Sequence, residues 1–269
     1  MNDIKNIGRI LLAVWLLVLV PMAAWGAKKR TDNGALVWNA RRDSRGRYTG
    51  YYMYVAQGFN VTLGANYYYG DIDNTGLVFN GGFQKQNFRG SLTLSYQHPL
   101  ARNFNLRTSV AMGALNADNS PLENHDPKKF QSFYFEPSVC VDYYPVYWLG
   151  FYIFAGIGAN ANFIDYTFAN PGHDDVAGKV VRFLPMVPFG VGWAIPLGMQ
   201  TGVMLHVEVS AHQGVIDTPT MNLDAYPQTK EQNGVRDYGR SFNPDGKRTN
   251  QWADGYFQVG LTLSYRWRQ

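Results

Sequence analysis

Apolar side chains recur at every second position along most of this chain, and no stretch keeps a convincing helical period. Eight runs carry the alternation. The first is about Phe59–Gly70, with Phe59, Val61, Leu63, Ala65, Tyr67 and Tyr69 on one face. Then come about Phe88–His98 (Leu92, Leu94, Tyr96), Phe104–Leu115 (Leu106, Val110, Met112) and Phe133–Tyr144 (Phe135, Val139, Val141, Tyr143). Next are Leu149–Phe163 (Phe151, Ile153, Ala155, Ile157, Phe163), Arg182–Ile195 (Phe183, Val187, Phe189, Val191, Trp193) and Met199–His212 (Val203, Leu205, Val207, Val209). The last is the closing stretch GYFQVGLTLSYRWRQ, with Phe257, Val259, Leu261, Leu263, Tyr265 and Trp267 on one face. Three connections, PLARN (99–103), PVYW (145–148) and PLG (196–198), are short and open on proline, a turn former. The other four, about 70–87, 116–132, 164–181 and 213–254, are long and polar. Short turns at one end and long loops at the other predict an all-β fold, an eight-stranded antiparallel up-and-down barrel.

Alternation does not say whether the apolar face points in or out, because a soluble lipocalin-type barrel has the same period. The second face separates the two. It holds mostly Gly, Ser, Thr and Asn, with a few charges: Arg89, Arg107, Glu136, Asp142, Arg182, His206, Glu208 and Arg266. A water-facing surface would be rich in Lys and Glu, whereas small neutral residues and a few opposite charges suit the filled interior of a narrow barrel. Charges there must pair. The expected interior network is Arg107, Asp142, Glu136, Arg182, His206 and Glu208, with Arg107–Asp142 as its first pair. The apolar face is also sorted by height. Tyr96, Tyr143, Trp193, Tyr265 and Trp267 fall at the short-turn rim, and Tyr67, Tyr69, Phe133, Phe135, Phe163, Phe183 and Phe257 at the other. Two aromatic girdles are the mark of a transmembrane barrel, with its short turns in the periplasm. Pro137, Pro185 and Pro188 lie inside predicted strands, where each removes a ladder donor, so bulges or early strand ends are expected there. The alternation continues upstream over Tyr51–Gln57, which suggests an earlier start to the first strand.

Composition agrees. Charged residues make up 16% of the 269 residues, well below the soluble average of about 25%, with 18 Tyr and 16 Phe. Residues 1–26 read as a cleavable secretory signal: Lys5 and Arg9, the apolar run Ile10–Val20, then Ala24-Trp25-Gly26. That run is too short for a spanning helix. No cysteine lies near the cleavage site to carry a lipid anchor. The single cysteine, Cys140, allows no internal disulfide or thiolate zinc site and reads as a small buried residue. Residues 27–57 form a basic segment. Lys28–Arg47 holds seven basic side chains against two acidic ones, which reads as a solvated leader or as a docking arm for anionic lipid or an acidic partner. Export makes nucleic acid an unsuitable partner.

No sequence motif for phosphate cradling, a zinc site or a nucleophile elbow appears, and no cofactor is implied. HVEVSAH places His206, Glu208, Ser210 and His212 on one inward face, which supplies the parts of a hydrolase triad. Neighbours two apart on a strand are about 6–7 Å apart, so an interior polar ladder is the expected reading. His98, His125 and His173 sit in turns or loops without ligand spacing. An eight-stranded interior is filled by side chains, so a channel is not expected.

Four segments together carry a resemblance: GANYYYGDIDNTG, LSYQHPLARNFNLRTSVAMGAL, MVPFGVGWAIPLGMQTGVMLHVEVS and GYFQVGLTLSYRW. They resemble the first strand end, second hairpin, sixth and seventh strands, and last strand of the PorG-like small outer-membrane barrels of Bacteroidetes. The resemblance covers about residues 58–267. HQGVIDTPTMNLDAYP departs from the acidic, aromatic stretch usual after strand seven, and the last loop is long. The resemblance implies an outer-membrane component of type IX secretion that contacts a periplasmic ring complex, and it does not imply an enzyme; Lys28–Arg47 fits a docking arm for such a partner or a spacer. Gln258, Gly260, Leu263, Tyr265 and Trp267 resemble a terminal signal read by the barrel-assembly machinery. The expected domain order is signal 1–26, basic segment 27–57 and barrel 58–269, with both termini periplasmic and lipid around the wall. A structural or adhesive barrel acting through its long loops, and a lipid-modifying hydrolase using His206, Glu208 or Ser210, are the alternative functions.

Overall fold

The computed structural model describes residues 41–42, 48–49, 56–70, 87–101, 103–118, 128–146, 150–168, 175–197, 202–216, 221–225, 231–232, 235–236 and 254–266. The predicted signal peptide, most of Lys28–Arg47, His125, His173 and Trp267 lie outside them. Eight antiparallel strands close into a barrel. They are β1 (Gly58–Tyr69), β2 (Arg89–Ala101), β3 (Phe104–Asp118), β4 (Lys128–Val146), β5 (Phe151–Phe168), β6 (Val176–Pro196), β7 (Val203–Gly214) and β8 (Gly255–Arg266). Each strand pairs with the next, and β8 closes on β1 from Gly255↔Tyr69 to Arg266↔Gly58. Arg41–Arg42 with Tyr48–Thr49, and Glu231–Gln232 with Val235–Arg236, form separate two-residue ladders.

The apolar face points outward. Leu63 is 67% exposed and Ile157 72%, with Val61, Leu94, Val139, Val191, Val207, Leu261 and Leu263 also exposed. Their neighbours in sequence, including Asn60, Thr62, Asn105, Ser109, Ser138, Thr262 and Ser264, are buried in the lumen.

β4, β5 and β6 are longer than the alternation predicted, by five or six residues at the long-loop end. In the extensions of β4 and β5 the polarity reverses. Lys129, Gln131, Asp165 and Lys179 face outward, while Phe130, Ile164, Tyr166 and Phe168 are buried inside. The predicted strand ends mark where the alternation changes face, not where pairing stops. β3 to β6 thus rise as a wall above the rest of the barrel.

Three other expectations change. The strands run through Pro137, Pro185 and Pro188 without bulging or ending. Pairing lapses between Phe135↔Ala161 and Ser138↔Gly158, and between Ala155↔Phe189 and Gly158↔Met186, with the register kept on either side. Register shifts occur instead beside the short turns, at Pro99/Ala101 and Tyr143/Val146. β1 begins at Gly58, and the Gln57 side chain bonds His98 Nδ1 at 2.9 Å; His98 itself lies in β2 rather than in a turn.

Candidate functional site

The lumen is filled in two polar tiers. In the tier nearer the short turns, Arg107 of β3 crosses to Glu208 of β7, with Nη1 at 2.9 and 3.1 Å from the two carboxylate oxygens. Its Nη2 lies 3.0 Å from Asp142 Oδ1 on β4, and its guanidinium stacks 4.2 Å from the centre of the Phe154 ring. Gln97 donates to Asp142, and the Tyr152 hydroxyl donates to Glu208. His206 then bonds the Tyr152 oxygen through Nδ1 at 3.1 Å and Ser264 through Nε2 at 2.8 Å. Gly192 makes this possible: a Cβ there would lie 2.5 Å from the Tyr152 hydroxyl oxygen.

The second tier centres on Glu136, which is fully buried. It takes His212 Nδ1 at 2.6 Å, Asn160 Nδ2 at 3.0 Å and the Tyr256 hydroxyl at 2.9 Å. His212 stacks on Tyr256 with ring centres 4.4 Å apart. On the other side of the ring, Nε2 lies 3.2 Å from the Ser210 hydroxyl. A direct contact between positions two apart therefore forms where a side chain from another strand, Glu136, holds the ring. No sequence signal links Glu136 to His212; only the barrel order brings them together.

Arg182, expected in the same network, joins neither tier. It points inward from the raised part of β6, half-exposed, with Asp224 and Tyr166 as electrostatic neighbours and its Nε without a hydrogen-bond partner. Arg266 is fully buried at the short-turn mouth against Gly58, with Asp142 and Tyr144 as electrostatic neighbours.

Ser210, His212 and Glu136 have the connectivity of a nucleophile triad, but Ser210 and His212 line only a small space in the lumen. The lumen between the tiers leaves about 30 Å³ for the centres of water-sized molecules, lined by Thr62, Ser109, Ser138, Glu208, Ser210 and His212 among others. That admits about two waters. Glu208 and His206 are already bonded to Arg107, Tyr152 and Ser264.

Aromatic residues ring both ends of the apolar wall. At the short-turn rim Phe59 packs on Tyr96 (5.3 Å) and Phe104 stacks on Tyr143 (4.8 Å). Trp193 pairs with Phe151, and Tyr265 with Phe59, across the ladders. At the long-loop rim Tyr69 packs on Phe257 (4.6 Å). Phe133 and Phe163 are directly paired. Tyr67, on the outward row, is buried, with its ring 5.1 Å from Phe88. In the terminal strand, Leu263 and Tyr265 face outward and Gln258 and Gly260 inward.

The long-loop mouth is stoppered by a piece of the 213–254 connection. Asn222, Leu223, Asp224 and Ala225 are buried, and Leu223 and Ala225 pack with Tyr68, Phe130, Ile164, Tyr166 and Leu184. The Tyr68 hydroxyl reaches Asp224 at 2.8 Å and Asp254 at 3.0 Å. Asp254 accepts the Leu223 N–H, and Asn162 donates to the Leu223 carbonyl at 2.6 Å. Ala225 holds a left-handed backbone at φ 61°. Composition marked this stretch only as polar loop.

No protein-family model and no curated protein matches the chain. Among solved structures it is similar to the attachment invasion locus protein Ail of Yersinia pestis (8% identity, TM-score 0.40, 78% of this chain and 97% of that one). It is similar also to Neisserial surface protein A (10%, 0.37, 78% and 97%). A third is a major outer membrane protein from Thermus thermophilus (16%, 0.42, 79% and 100%).

Proposed function

We propose that this protein is a filled outer-membrane β-barrel that acts without enzymatic chemistry, as a membrane-seated accessory of protein secretion. One observation carries the membrane part: a closed barrel with an apolar exterior held between two aromatic rims and a polar interior. Water would penalise that exterior by about 25 cal/mol for each Å² left exposed, and hydrocarbon does not. With the lumen occupied by paired charges, solute passage is not its work, and function falls to the two ends.

The type IX secretion role draws its support from the sequence resemblance and from the basic segment Lys28–Arg47, which suits an acidic periplasmic partner. The raised wall of β3 to β6 favours a second reading, binding outside the cell. Removing Lys28–Arg47 while keeping the signal and barrel separates them. The secretion role predicts loss of secreted cargo at an unchanged barrel level in the outer membrane. Normal secretion, with surface binding lost only when residues 217–250 are trimmed, would replace it with the second reading. Protease shaving of intact cells tests the orientation: cleavage should fall in the long loops and spare the short turns.

A further inference from the structure

Among the described residues, the lumen tier nearer the short turns gathers two arginines and two carboxylates: Arg107, Arg266, Asp142 and Glu208. Arg107 meets both carboxylates directly, Glu208 at 2.9 Å and Asp142 at 3.0 Å. Arg266 meets neither. It is fully buried, and none of its three side-chain nitrogens has a hydrogen-bond partner. Tyr144, Asp142, Tyr152 and Arg107 are its electrostatic neighbours. His206 keeps its two ring nitrogens on Tyr152 and Ser264. The arginines and carboxylates balance only when Arg266 is counted, because without it Arg107 alone faces two carboxylates.

Arg266 is also placed where the ring closes. It is the last residue of β8, and its side chain lies over the first residue of β1. A Cβ on Gly58 would fall 2.6 Å from Arg266 Cδ and 2.8 Å from Nη1. The β8–β1 ladder joins the two ends of the barrel sequence, whereas every other ladder joins consecutive strands. It therefore carries the largest loop-closure entropy of the eight. None of the other three charges lies on a strand of this seam: Arg107 is on β3, Asp142 on β4 and Glu208 on β7. The cluster that lacks one positive charge is built by neighbouring strands, and the missing charge rides on the strand that completes the ring.

We propose that Arg266 is an electrostatic latch for barrel closure: carried over Gly58 by the terminal strand, its charge neutralises the excess carboxylate of the Arg107–Asp142–Glu208 cluster as β8 meets β1. In an open sheet that cluster has one more negative than positive charge and is solvated by water. Closing the ring strips the water, and an unbalanced buried charge is costly unless its countercharge arrives with the closing strand. Arg266 makes no hydrogen bond, so what it contributes is charge and not the guanidinium fork. Arg107 differs, because its fork holds Glu208 by two bonds. The latch acts on the inward face of the strand whose outward residues include Leu263 and Tyr265, so the lumen checks one face of β8 while the lipid side presents the other. The latch rests on the geometry of the lumen and not on the secretion role.

The test uses the full-length mature protein with Cys140→Ser, refolded from urea into detergent micelles. Val61→Cys with Leu263→Cys sets a pair across the β1–β8 seam, and Leu205→Cys with Leu263→Cys sets a control pair across β7 and β8. Trapping each pair with a thiol oxidant during refolding times the two ladders separately. Arg266→Gln should slow trapping at the seam about tenfold and leave the control pair within about threefold of its rate with Arg266 intact. Arg266→Lys keeps the charge and has no hydrogen bond to lose, so the seam should close within about threefold of the Arg266 rate. Asp142→Asn combined with Arg266→Gln restores the balance from the other side and should close faster than Arg266→Gln alone. Unchanged seam closure in Arg266→Gln, or equal slowing of both pairs, would overturn the latch. So would a lysine variant as slow as the glutamine one, or a double variant no faster than Arg266→Gln. If Arg266→Gln does not fold at all, the lysine and double variants still decide. Failure of the protein to fractionate with outer membranes would overturn the membrane reading and leave the micellar result standing.

Discussion

Arg107 and Glu208 sit on strands four apart in an eight-stranded ring, yet their side chains meet at 2.9 Å. The contact is a tie between opposite walls through the middle of the lumen. Glu136 on β4 and Tyr256 on β8 form a second tie, at 2.9 Å, across another diameter.

Removing the first tie leaves Asp142 and Glu208 buried without their cation. Arg107→Ala should cost about 3–5 kcal/mol, the scale for stripping one partner from a buried pair. Arg107→Met with Asp142→Asn and Glu208→Gln should recover most of it. Urea unfolding in lipid vesicles, followed by tryptophan fluorescence, reads both.

The outer wall should grade a charge by depth. Leu261→Arg falls midway along the exposed row of β8 and should cost about 2–4 kcal/mol, whereas Gln131→Arg, above the Phe133 rim, should cost about 0–1. The same vesicle titration measures the pair. Equal costs would contradict the assigned height of the rim.

Tyr68 holds the stopper through two carboxylates. Tyr68→Phe deletes both bonds and should weaken the stopper by about 1–3 kcal/mol while leaving the ladders intact. Hydrogen exchange should quicken at Leu223–Ala225 and hold steady in β1.

The seam between the first and last strands has no slack at its lower end. A Cβ on Gly58 would lie 2.5 Å from the Tyr265 carbonyl oxygen and 2.6 Å from Arg266 Cδ. Gly58→Ala should destabilise the closed form by about 1–3 kcal/mol, seen as less of the heat-modifiable, compact band on cold gels. Tyr265→Ala points away from the lumen and should act earlier, by lowering insertion in cells while refolding in vitro stays near normal.

Much of this barrel can be read from the alternation, because a strand's period of two reports faces directly. Leu63, Val139 and Leu261 face out and Asn60, Ser109 and Thr262 face in, as the pattern requires. The pattern fails where the surroundings change. Above Phe133 and Phe163 the outward positions become Gln131 and Asp165, the apolar residues of β4 and β5 move to the even positions, and those strands seem to stop. Glu136 and His212 are 76 positions apart, and nothing local to either predicts the other. The stopper is hidden for a related reason, since Leu223 is one apolar residue in a polar stretch and its burial depends on a mouth built by distant strands.

The reversal along β5 links the register of the sheet to the thickness of the bilayer. Outward residues from Phe151 to Phe163 span roughly 40 Å of strand, or about 28 Å of height at a 45° tilt, and Asp165 follows two residues later. A slip of one hydrogen-bonded pair would draw a carboxylate into hydrocarbon at one end or strand an aromatic in water at the other. The membrane therefore takes part in proofreading the strand pairing. In a thinner bilayer, correctly and incorrectly registered barrels should differ less in energy, and misfolded forms should become more numerous.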